Sequence, residues 1–221
     1  MKGNSNRSAH LARTKGWGER KAWDKKMKKS LTIIFTLFLL LFTACGKKEE
    51  EAEQSTVIVS DKKIEEIIIG DFGSEYYNVS ELQAEIQGWI EQYASLSGTG
   101  EKVVLKGCET KGGVAIIQME YATAADYKNF NGKEFFHGTV AQAYEAGYSM
   151  DGHLIDVVKK ETMSRNEILE QGGCHIVILE DPLLVRTEGK ILAVSENVEV
   201  VSSKEALVQE GSSKLSYVMY K

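Results

Sequence analysis

The 221 residues carry no Gly-x-Ser-x-Gly elbow, no His-Glu-x-x-His helix and no Walker loop, so the usual sequence marks of hydrolases, zinc proteases and nucleotide binders are missing. Gly70-Asp71-Phe72-Gly73 contains an Asp-Phe-Gly tripeptide, but neither a glycine-rich phosphate loop nor a catalytic loop precedes it, and it reads as a strand-to-turn transition. Only three cysteines and four histidines are present. Neither type falls into a Cys-x-x-Cys or His-x-x-x-His pair, so His137, His153 and His175 with Cys108 and Cys174 form no recognisable zinc pattern. No cofactor and no metal is expected from motifs.

Long apolar runs are equally scarce. The one that stands out, Leu31 to Phe42, is shorter than the roughly 20 residues that a helix needs to cross about 30 Å of hydrocarbon. Lys25, Lys26, Lys28 and Lys29 precede it, and Ala44-Cys45-Gly46 follows, which is the order of a secretory signal. Met27 is a natural start, so residues 1 to 26 are set aside from fold reasoning.

Positive charge is scarce after this segment. Of 27 Lys+Arg and 32 Asp+Glu, 10 and 2 lie in residues 1–45, which leaves 17 against 30 and a net charge of −13. Such a chain repels phosphate backbones, and nucleic-acid binding has no electrostatic basis. Gly46 to Ser55 is charged and free of aromatics, the composition of a solvated tether. The organisation read from sequence is therefore 1–45 basic N-terminus and signal, 46–55 tether, and 56–221 one extracytoplasmic domain. About 165 residues build one core, and are too few for the two lobes of a typical extracytoplasmic solute-binding protein.

Phe42-Thr43-Ala44-Cys45 resembles the lipobox of bacterial lipoproteins. That resemblance implies a lipid on Cys45, palmitate among its acyl chains, and attachment to the outer face of the cell membrane. A second resemblance lies in the mature domain. Tyr127, Phe130-Asn131, Phe135-Phe136, Gly138-Thr139-Val140, Gly147-Tyr148, Gly189 to Leu192 and the ending Tyr217 to Lys221 are similar to segments of uncharacterised lipoproteins of gut clostridia. It implies a fold shared with Gram-positive surface lipoproteins and names no activity.

Patterning predicts an α+β fold, a mostly antiparallel sheet with one longer amphipathic helix and several short ones. Thr56 to Val59 and Ile64 to Ile69 are β-branched and read as strands. Ser80 with Gln83 has capping-box spacing, and Leu82, Ile86, Trp89, Ile90, Tyr93 and Leu96 recur at helical spacing, so a helix is expected over 81–96. Lys102 to Cys108 and Val114 to Tyr121 flank a Lys111-Gly112-Gly113 turn. Short helices are expected after Thr123, Thr139 and Ser164, each with a polar partner at the N3 spacing. Cys174 to Leu179, Leu183 to Thr187, Ile191 to Ser195, Val198 to Val201 and Leu215 to Tyr220 then read as a meander.

Candidate residues follow from this layout. Cys45 is the lipidation site, and Cys108 and Cys174 form a possible disulfide in an exported chain. Asp151 with Asp156 is a carboxylate pair of the kind that glycan hydrolysis uses. Tyr121 to Tyr148 concentrates seven aromatic rings, which either meet a partner or cover the sheet as core, and Tyr127 and Tyr144 are where the two readings separate. Missing nucleophile and base motifs argue for a non-catalytic domain that binds an unknown envelope ligand or protein partner. The alternative is an extracytoplasmic hydrolase acting on an envelope glycan or peptide through carboxylate or histidine chemistry.

Overall fold

A computed structural model describes residues 54–73, 77–98, 102–151, 154–210 and 215–221. Cys45 and most of the 46–55 tether lie outside these residues. Among them are twelve strands and four helices, in the order β1 (Thr56–Val59), β2 (Ile64–Asp71), α1 (Val79–Ser97), β3 (Val103–Lys111), β4 (Val114–Tyr121), α2 (Ala124–Asn131), β5 (Phe135–Thr139) and α3 (Val140–Glu145), followed by β6 (Leu154–Asp156), α4 (Arg165–Glu170), β7 (His175–Leu179), β8 (Leu184–Thr187), β9 (Ile191–Ser195), β10 (Val198–Ser202), β11 (Glu205–Val208) and β12 (Ser216–Tyr220).

The fold is α+β and dominated by sheet, but the strands form two sheets rather than one. One has seven strands in the order β10-β11-β8-β1-β2-β4-β3, the other five in the order β5-β7-β12-β9-β6. Every pairing is antiparallel except β1 with β8, where Thr56 to Val59 run alongside Leu184 to Thr187. That pairing joins the first strand of the domain to one more than a hundred residues later. It is held by β-branched residues buried on the inner face, Val57, Val59 and Val185.

Period-two alternation decides which face each strand buries. Val57 and Val59, Ile64, Ala115, Ile117, Met119 and Tyr121, and Val185 all turn inward from the larger sheet. They share one apolar core with Phe135, Val177, Leu179, Val218 and Tyr220 of the smaller sheet and with the stripe Leu82, Ile86, Trp89, Ile90 and Tyr93 of α1. Ile176, Ile178 and Met219 alternate to the opposite face, where Val140 and Ala143 of α3 and Ile168 of α4 cover them. Both faces of the five-stranded sheet are therefore packed. At about 1.5–3 kcal/mol for each fully buried large aliphatic side chain, these contacts supply the main driving force.

The helix starts are set locally. Thr139 and Ser164 each form a complete capping box, with Gln142 and Glu167 reaching back. At α1 the cap is Asn78 and not Ser80: the Asn78 side chain accepts from the backbone N–H groups of Ser80 and Glu81, and the helix begins two residues ahead of the expected 81. The Asn78 Oδ1 thereby satisfies two of the donors that a helix start leaves unpaired. Asn78→Ala is expected to lower unfolding free energy by about 1 kcal/mol with an unchanged m-value, measured by urea denaturation.

Candidate functional site

The register of the smaller sheet brings three polar rings to the end of its inner face. In the antiparallel pairings His175 stands opposite Tyr220, and His137 stands opposite Val177. Side chains two residues apart share a face, so His137 continues the row of Phe135, while His175 and Tyr220 continue those of Val177 and Val218. The inner face is thus apolar in the middle and changes to imidazole and phenol at its edge.

The three rings lie close together. The His175 and Tyr220 centroids are 5.3 Å apart, the two imidazoles 6.0 Å, and the His137 ring is nearly parallel to that of Tyr220, at 3°. His137 Nε2 lies 2.7 Å from the Tyr220 hydroxyl, a hydrogen bond that fixes the imidazole's rotation. Two loops meet beside them, the β1–β2 turn of the larger sheet and the β8–β9 loop that joins the two sheets. The β1–β2 turn is closed by Ser60, whose hydroxyl donates to the Lys63 carbonyl at 2.9 Å, and it carries Asp61. The Asp61 backbone N–H donates to Glu188 Oε1 at 3.2 Å, tying this turn to the β8–β9 loop.

That second loop is held against the last strand. Lys190 and Lys221 exchange two backbone hydrogen bonds, and a Cβ on Gly189 would come within 2.5 Å of the Lys221 carbonyl carbon. Only glycine allows so close an approach.

Asp61, His137 and His175 each offer one ligand atom, and these atoms all lie within 4.8 Å of one another. His175 Nδ1 is 3.8 Å from Asp61 Oδ1, and this nitrogen is buried with no hydrogen-bond partner. Burial holds the His137 imidazole below its ordinary pKa, and the neighbouring His175 adds to the effect, while Asp61 and Glu188 oppose it. Burial pushes the Tyr220 phenol up, with Glu188 and Asp61 adding to it, so this hydroxyl keeps its proton. At neutral pH the site therefore offers a neutral His137 ring hydrogen-bonded through Nε2 to a phenol that keeps its proton. Two imidazole nitrogens and a carboxylate oxygen are ligands suited to a transition metal; a phenol that stays protonated is not a nucleophile.

The candidates read from sequence have mixed fates. His137 and His175 do come together, but neither cysteine joins them, and His153 lies outside the described residues. Cys108 and Cys174 are both free thiols, so the possible disulfide is not formed. Cys108 packs on the core between the sheets, and Cys174 is buried in the separate cluster under α3 and α4, because strands β3 and β7 belong to different sheets.

Tyr127 is no binding surface. It is 2% exposed, and its hydroxyl donates to Glu66 Oε1 at 2.9 Å, because the inner face of α2 is what covers the larger sheet. Tyr144 is 44% exposed and accepts a hydrogen bond from Arg165 at 2.8 Å. Asp151 and Asp156 are used separately: Asp151 pairs with Arg165, and Asp156 accepts the backbone N–H groups of Val158 and Lys159. Sequence reading passed over Asp61, Glu188 and Tyr220. Asp61 lies in an ordinary Ser-Asp-Lys-Lys turn with no metal spacing to mark it, whereas Tyr220 sits at the end of the run Leu215 to Tyr220, which reads as a strand.

Compared with known protein families, curated proteins and solved structures, the chain matches none of them.

Proposed function

We propose that this protein is exported, carried on the outer face of a cell membrane by a lipid on Cys45, and works there as a binding domain rather than as a catalyst. The observation that carries the binding half is the imidazole end of the sandwich. His137, His175, Asp61 and Tyr220 converge there, His137 is bonded to Tyr220, and the set contains no activated nucleophile with its base and orienting group. A hydrolase using Asp151 and Asp156 is not favoured, since each carboxylate is engaged elsewhere.

The export half comes from the signal-like order of Lys28-Lys29, the apolar run to Phe42 and the Cys45 thiol. One acyl chain gives only marginal membrane binding, while two anchor stably, so a diacylglyceryl group suits a domain that must stay at the surface. Among the described residues no helix is long and apolar enough to cross a membrane.

Metabolic labelling with an alkyne fatty acid tests the anchor. The wild-type chain is expected to take up label and to fractionate with membranes. Cys45→Ser is expected to reduce label to background and to leave a longer, unprocessed chain. Labelling that persists in Cys45→Ser refutes the anchor.

A further inference from the structure

We propose that Asp61, His137 and His175 bind one divalent transition-metal ion, for which Zn2+ is the appropriate probe. Zinc takes imidazole nitrogen and carboxylate oxygen at about 2.0–2.2 Å in tetrahedral geometry, which sets ligand atoms roughly 3.3–3.5 Å apart. The Asp61 Oδ1 to His175 Nδ1 distance of 3.8 Å is too long for a hydrogen bond and close to that separation. The whole set, within 4.8 Å, closes onto an ion by a movement of about 1 Å, in line with these bond lengths.

The parts that would move and the parts that would hold are distinct. Both imidazoles are on paired strands of a sheet packed on two faces, and Tyr220 locks the rotation of His137. Hydrogen-bond partners behind metal-bound histidines orient them in this way. Asp61 sits on a turn with its side chain 66% exposed, free to swing onto the ion. Glu188, bonded to the Asp61 backbone, adds a second negative charge beside the site.

His175 Nδ1 supplies an independent sign. Buried polar atoms are almost always paired, and this one has no partner, while a carboxylate faces it across a gap that an ion fits. The nitrogen donors favour zinc, copper, nickel or iron over calcium and magnesium, which prefer all-oxygen sites. Three protein ligands leave a fourth position on a tetrahedral ion for water or for a group brought by a partner. The proposal rests on the binding reading only in taking this end as the working end, and it does not depend on the lipid.

The test uses the untagged full chain in detergent, stripped with a chelator and titrated calorimetrically with ZnCl2. One Zn2+ per chain is expected, with a rise in thermal midpoint on binding. His137→Gln and His175→Gln are each expected to weaken binding by about 100-fold or more, and Tyr220→Phe by about 10-fold, the scale on which even outer partners of a metal act. Asp61→Asn, on an exposed turn, leaves the core untouched, and its expected loss of about 10-fold or more reads the site and not the fold. Absence of Zn2+ binding, or binding that survives both histidine substitutions or is unchanged in Asp61→Asn, overturns the proposal. Loss of acyl labelling in Cys45→Ser leaves the titration unaffected, so the two readings fail separately.

Discussion

Replacing Glu66 with Ala is expected to cost roughly 3–5 kcal/mol of stability, the combined result of a core cavity and two hydroxyls deprived of their carboxylate. Glu66 lies on the inward face of β2, 7% exposed, among Ile64, Met119 and Tyr121. The Tyr121 hydroxyl donates to its Oε2 at 2.6 Å, and the Tyr127 hydroxyl donates to its Oε1 at 2.9 Å. Asn131 extends the network by donating to the Tyr121 oxygen at 3.2 Å. Truncation would strip the buried Tyr127 hydroxyl of its acceptor and leave the Tyr121 hydroxyl only its longer 3.5 Å contact with Asn131 Oδ1, which adds to the cost of the cavity.

The same residue gives the domain a pH dependence of known sign. Burial raises the Glu66 carboxyl above its ordinary pKa of 4.5, against the two tyrosine donors, which lower it, while Asp181 raises it further. A carboxyl whose folded pKa lies above its unfolded one binds its proton more tightly in the folded state, so stability from this group falls as pH rises from the unfolded pKa through the folded one. Glu66→Gln keeps the size and an acceptor but has no proton to lose. Urea midpoints are therefore expected to show Glu66→Gln gaining on the wild-type chain as pH rises from about 4.5 to 8, the side of the unfolded pKa on which the ionised form accumulates. Parallel curves over that range would show that Glu66 does not titrate differently in the folded state.

Local signals in the sequence carried most elements. β-branched and apolar runs mark β2, β4, β7 and β9, and caps mark the three short helices, because those features depend on neighbours within a turn or two. Three strands had weak signals. Phe135–Thr139 is interrupted by Gly138, Leu154–Asp156 has three residues, and Glu205–Val208 follows a Ser-Ser-Lys stretch with no β-branched residue before Val208. Missing β5 hid the site, since His137 is placed by its pairing with β7. The parallel β1–β8 pair joins residues more than a hundred positions apart and depends on packing alone. Two histidines were legible as candidate ligands. Their carboxylate partner was not, since the Asp61 turn meets them only after the two sheets pack.

Tyr127→Ala and Tyr144→Ala, nominated together from sequence, are expected to separate sharply in folding stability. The Tyr127 ring is packed 4.3 Å from the Phe135 centroid and 4.8 Å from that of Tyr121, in addition to its bond with Glu66. Emptying a core aromatic site costs about 3–5 kcal/mol, and here a buried carboxylate also loses a donor. Tyr127→Phe, which removes the hydroxyl and keeps the ring, isolates the second contribution at about 1–3 kcal/mol, the cost of leaving a buried polar group without its partner. Tyr144, by contrast, is held from outside by one residue: the Arg165 guanidinium lies 5.3 Å from its ring centroid and donates to its hydroxyl at 2.8 Å. An exposed cation–π contact is worth about 0.5–1 kcal/mol, so Tyr144→Ala should lose no more than about 1 kcal/mol. Urea denaturation of the three variants reads all of these values, and a Tyr127→Ala loss as small as that of Tyr144→Ala would mean that the inner face of α2 does not pack on the larger sheet.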